Sequence, residues 1–109
     1  MDNDVIELIE LIEQLLISNK KLRQQADAGE WDVFLDESVA YTMGMRTLCD
    51  IDLTQLAQHN KPQVSTQLAT LLEHDALLTR AIQGRLTAIS TELSGMRKSR
   101  TMAKAYTSV

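Results

Sequence analysis

Four groups in this chain could in principle do chemistry: His59, His74 with the adjacent Asp75, the acidic pair Asp36-Glu37, and Cys49. Each is a poor candidate for catalysis. His59 falls in a turn, where solvent exposure is the default. His74 and Asp75 are neighbours on a helix, so their side chains point about 100° apart and do not form an acid–base dyad. Neither histidine has a glutamate at the Glu-x-x-His spacing of helical-bundle metal sites. No glycine-rich phosphate loop and no nucleophile elbow appears. Asp36-Glu37 reads as a solvated helix face. Cys49 is the one cysteine and can make no internal disulfide, which fits a reducing compartment and a small buried thiol. The expectation is a protein that is not an enzyme and carries no metal or cofactor.

The more informative pattern is apolar. From Val64 to Met96, apolar residues recur at Val64, Leu68, Leu71, Leu72, Leu78, Ile82, Leu86, Ile89, Leu93 and Met96. The steps are mostly three and four, which places them on one face of a helix. At 1.5 Å per residue that helix reaches roughly 50 Å. Its stripe is longer than one short neighbour can cover, so it calls for partner helices, a second chain or a bound segment. Leu78, Ile82, Leu86, Ile89 and Leu93, with Arg85 among them, form the candidate partner-binding groove. Two polar residues interrupt the stripe, Asp75 between Leu71 and Leu78, and Arg85 between Ile82 and Ile89. One reading makes each an edge residue in a surface pair. The other makes them fix register against a partner helix at some cost in stability.

The elements that position this stripe follow from caps and breakers. A first helix is expected over about 4–27, with Asp4 and Glu7 at the spacing of a capping box. Val5, Leu8, Ile12, Leu15 and Leu22 form its seam. Ala28-Gly29 ends it, with Gly29 suited to the left-handed position after a helix. A second helix over about 30–49 carries Trp31, Phe34, Leu35, Val39, Met43 and Leu48 as its apolar spacing, with Trp31 expected to be largely buried at the corner. The short connection makes the two helices antiparallel neighbours. His59-Asn60-Lys61-Pro62 breaks the chain, and Pro62 can open the long helix over about 63–94. Ser94-Gly95 is the expected end or hinge. Beyond it a mobile segment over about 96–106, with Met96, Met102 and Tyr106, is the candidate regulatory tail, docked back on the end of the long helix. The fold expected is an all-α antiparallel bundle of three main helices with a short C-terminal helical segment, in a single domain over 1–109.

Charge supports association within or between chains. Residues 1–60 carry twelve acids against four bases, and residues 61–109 three acids against seven bases. The halves attract, and the basic tail suits an acidic partner. The net charge of −4 argues against direct nucleic-acid binding. Val5–Ile17 is too short and too charged to span a bilayer, and no signal peptide is visible, so a soluble cytoplasmic protein without membrane insertion is expected.

Two stretches resemble the FliT family of flagellar export chaperones. One is Ala28-Gly29-Glu30-Trp31-Asp32, followed by Leu35 and Glu37. The other is Leu77-Leu78, Arg85-Leu86, Ile89-Ser90 and a closing Ala105-Tyr106. The resemblance implies a chaperone that binds the flagellar filament-cap protein before secretion and delivers it to the flagellar type III export apparatus. It further implies contacts with the export ATPase and its stalk-like associate, in some members with the flagellar master transcription activator, and a mobile C-terminal helix that restrains these contacts. Two alternatives stand beside it: a helical homodimer that buries the stripe against its own copy, and an acidic decoy acting through residues 1–60. Association state separates the first of these from the chaperone.

Overall fold

Gly29 is the turning point of the chain. Its φ of +74° is left-handed, a region where a Cβ is strained. The Glu30 N–H donates to the Gln25 carbonyl and the Gly29 N–H to the Ala26 carbonyl, so the last carbonyls of the first helix find partners as the chain reverses. On either side lie α1, Asp2–Asp27, and α2, Trp31–Cys49. A 3-10 turn at Leu53–Gln55 follows, opened by Asp52, whose carboxylate accepts from the Thr54 N–H and hydroxyl. The third helix, α3, runs from Lys61 to Thr107. The structure, a computed structural model, describes residues 2–58 and 60–107. Most of these are helical and none forms a strand, and His59 lies outside them.

The core is three apolar seams. On α1 the buried residues are Leu8, Ile12, Leu15 and Leu22, on α2 Phe34, Tyr41 and Leu48, and on α3 Val64, Leu71 and Leu78. The α2 and α3 sets repeat every seven residues, the spacing that keeps one stripe turned to a neighbouring helix. Pairs between α1 and α2 step in opposite senses: Gln25 meets Glu37, Asn19 meets Tyr41, and Leu15 meets Gly44. Tyr41 reaches Asp75 and Trp31 reaches Arg85, so α2 and α3 also run oppositely. Helix α1 packs on both other helices, while the α2 and α3 backbones do not approach each other as closely. The arrangement is therefore open on the side where α2 faces α3, and long side chains bridge that side.

Gly44 lies against Leu15 and Leu11 of α1. A Cβ there would lie 2.7 Å from Cδ2 of buried Leu15. Gly44→Val is expected to destabilise the fold by about 1–3 kcal/mol through overpacking, since the Leu15 side chain, itself buried, would have to shift. Urea unfolding of the variant and the parent checks this.

Three expectations need correction. The chain does not break at Ser94-Gly95, and no separate C-terminal segment forms: α3 is one helix of 47 residues. A glycine costs only about 1 kcal/mol in a helix, and without proline or a left-handed φ the strong helix formers around it carry the helix through. The tail consequently does not dock back. Met96 and Met102 are exposed, and the side chain of Tyr106 lies outside the described residues. Second, Leu35, Val39 and Met43 do not pack inside but form an exposed strip, because the face of α2 that meets its neighbours is centred on Phe34, Tyr41 and Leu48. Third, Cys49 is exposed, at the last residue of α2 where the seam has ended.

From Ser90 onward every described side chain is exposed. The molecule measures 77 × 23 × 18 Å, its long axis set by the part of α3 that runs beyond the Gly29 corner.

Candidate partner-binding surface

The apolar face of α3 has a covered part and a bare part. Leu78 belongs to the core rather than to an open groove. Ile82 lies at the border, 37% exposed, and Ile89 is half-buried. Leu86 and Leu93 are 60% and 50% exposed, and Met96 extends the same side. Of the six residues expected to line a groove, four thus offer apolar surface beyond the corner, one is interior, and Arg85 does something else.

Arg85 sits over the indole of Trp31, its guanidinium carbon 5.7 Å from the ring centroid. Trp31 in turn meets Phe34 edge-on at 5.0 Å. Trp31 is half-buried rather than largely buried, because the open side between α2 and α3 leaves one ring face to the arginine. A guanidinium over an indole contributes about 0.5–1 kcal/mol at such a site. It fastens α3 at the point where the covered part ends. Gly29, Trp31 and Arg85 line a shallow depression there together with Glu30, Asp32 and Val33.

A second apolar concavity lies at the opposite end, between the 3-10 turn and the start of α3. Leu53, Leu56, Val64, Leu68 and Leu72 line it, with Lys61 and Ser65 at the rim. The exposed strip Leu35, Val39 and Met43 on α2 is a third apolar feature. Its steps of four were visible in the sequence; which way the strip faces was not.

Several polar groups tie the helices to one another. Tyr41 is buried where the three helices meet. Its hydroxyl accepts from Asn19 Nδ2 at 3.1 Å and donates to Asp75 Oδ1 at 2.7 Å. Burial, the Asn19 bond acting against it, and the Asp75 carboxylate bring the phenol up to about 12. Because the folded chain holds this proton more tightly than the unfolded chain, the contribution to stability is complete below pH 10 and is lost as pH rises towards 12. Following phenolate absorbance, one tyrosine is expected to ionise only in that upper range, and Tyr41→Phe to remove the transition.

Glu37 is not the solvated residue that its place beside Asp36 suggests. It accepts from Gln25 Nε2 at 2.8 Å and pairs with Lys21 Nζ at 3.0 Å. These two contacts, Gln25 first, lower its carboxyl below the usual range. His74 Nδ1 is buried without a hydrogen-bond partner, and Asp75 is taken by Tyr41. Among the described residues no three of His, Cys, Asp and Glu converge as metal ligands do, and no helix is long and apolar enough to cross a membrane.

Fold and surface together define an all-helical protein with an open apolar face on its longest helix. The chain belongs to the FliT family: the family model described as flagellar protein FliT matches residues 8–108. No solved structure matches the chain.

Proposed function

We propose that this chain is a flagellar type III export chaperone that holds the filament-cap protein in the cytoplasm before secretion and delivers it to the export apparatus. Family membership supports the flagellar setting. The observation that carries the binding role is the exposed run Ile82, Leu86, Leu93 and Met96, with half-buried Ile89 between them, beyond the Gly29 corner. An export substrate needs an aggregation-prone amphipathic helix masked until hand-over. A helix laid along an apolar stripe is read through anchors at i, i+3, i+4 and i+7, the spacing this stripe offers. Arg97, Lys98 and Arg100 follow it and suit acidic residues on the incoming helix. The export ATPase, its stalk-like associate and the flagellar master transcription activator are the further partners proposed, without direct contact to nucleic acid. The test is co-expression of the chain with each candidate, purified through a tag on the chain. Capture of the cap protein supports the reading; capture of none of these partners overturns it.

A second reading is favoured by a different observation. Arg97, Lys98 and Arg100 are exposed on the part of α3 that runs beyond the Gly29 corner, while α1 is rich in acids. A homodimer could bring the basic end of one copy onto the acidic α1 of another. Light scattering separates the two: a tight dimer that fails to bind the cap protein supports this structural role.

A further inference from the structure

Hydrophobic burial alone does not decide where along α1 the long helix sits. The buried residues of α3 recur every seven positions, and apolar residues continue past them at Ile82, Ile89, Leu93 and Met96. Helix α3 has 47 residues and α1 has 26, so α3 has length to spare for a slide. Moving it by one heptad, about 10 Å, would put Leu71 and Leu78 where Val64 and Leu71 now stand and Ile82 where Asp75 stands. Arg85 would take the place of Leu78 at the corner end, where its long stem can lie on the core while its head reaches water. The slipped packing keeps Leu71 and Leu78 inside and brings in Ile82 as Val64 leaves.

Polar residues break this degeneracy. Asn19 occupies the α1 seam between Leu15 and Leu22, Tyr41 the α2 seam between Phe34 and Leu48, and Asp75 the α3 seam between Leu71 and Leu78. All three come to one level. Arg23 Nε donates to Asn19 Oδ1 at 2.8 Å, Asn19 Nδ2 to the Tyr41 hydroxyl, and the Tyr41 hydroxyl to Asp75. Asn19 is fully buried. A one-heptad slide would set the Tyr41 hydroxyl against Ile82 and remove its acceptor. A buried polar group without its partner is penalised far more than a well-made hydrogen bond is rewarded. A polar residue in an apolar seam fixes helix register by the same asymmetry.

We propose that the chain Arg23–Asn19–Tyr41–Asp75 is a register lock, which sets the length of α3 that the first two helices cover. The lock stands on the packing alone. Its consequence, that it also chooses which residues are left bare for a partner, rests on the proposed docking role of α3.

The test is a distance between α1 and α3. Spin labels go on Gln24→Cys and Arg80→Cys, both exposed and each five residues beyond Asn19 and Asp75, after Cys49→Ser. The otherwise native chain is expected to give one narrow distance by electron double resonance. The variant Asn19→Leu, Tyr41→Phe, Asp75→Leu is expected to add a second, longer distance. Leu71→Ala is the control: it weakens the core and is expected to keep one distance. A single unchanged distance in the triple variant overturns the lock. If the triple variant loses its far-UV helicity, Tyr41→Phe decides: a second distance supports the lock, and one unchanged distance overturns it.

Discussion

An aspartate at Leu86 or at Leu93 is expected to abolish capture of the cap protein's C-terminal helix and to leave the fold intact. Both side chains are at least half exposed and lie where no other helix covers α3. Exposed substitutions of this kind change stability by less than about 0.5 kcal/mol. In a complex, each leucine would be a central apolar anchor, and a carboxylate in its place would be buried without a partner. A loss on the order of 100-fold in affinity, about 3 kcal/mol, is expected for each variant. Titration calorimetry against the cap protein measures it, with circular dichroism as the check on helicity. Asp36→Ala, on the exposed side of α2, is expected to bind as the parent does. Equal loss in all three variants would count against a localised surface on α3.

Leu71 and Leu72 are adjacent in sequence and expected to differ by several kcal/mol on truncation. Leu71 is 1% exposed, in the middle of the α3 seam, and Leu72 is 63% exposed. Leu71→Ala removes buried methyl groups and leaves a cavity between helices that cannot collapse freely, at a cost of about 3–5 kcal/mol. Leu72→Ala is expected to stay within about 0.5 kcal/mol of the parent. The urea midpoint reads both, provided the slope of the transition is unchanged. Similar midpoints for the two variants would mean that α3 does not present the face described here.

The helices were legible because periodicity and breakers are local. Gly29 and Pro62 marked the reversals, and the seam of α1 stood out as Leu8, Ile12, Leu15 and Leu22. The bare end of α3 was misjudged for a physical reason. Gly95 resembled a hinge, but nothing in the chain demands a non-helical φ there, and the residues on both sides favour helix. On α2 the sequence presents Trp31, Phe34, Leu35, Val39, Met43 and Leu48 as one apolar spacing, which passes over Tyr41. The inward face is Phe34, Tyr41 and Leu48, while Leu35, Val39 and Met43 stay exposed, because which side faces inward depends on the neighbouring helices. The surface on α3 was visible as a stripe, yet its division into covered and bare parts depends on where α1 and α2 end. Of the Asn19–Tyr41–Asp75 chain only Asp75 stood out, as a polar break between Leu71 and Leu78; its partners were hidden because each is one polar residue in a separate seam. A signal existed: each stands at the position where its seam calls for an apolar residue.

The extended outline has a hydrodynamic consequence. A compact chain of this length has a radius of gyration of about 13 Å, whereas this one has 20.9 Å. A rod 77 Å long and about 20 Å thick drags more solvent and tumbles more slowly than a sphere of equal mass. On a gel-filtration column calibrated with globular standards, a single copy will run ahead of its true mass and pass for a pair. The choice between a monomeric chaperone and a dimeric module therefore turns on a measurement that weighs the particle instead of sizing it.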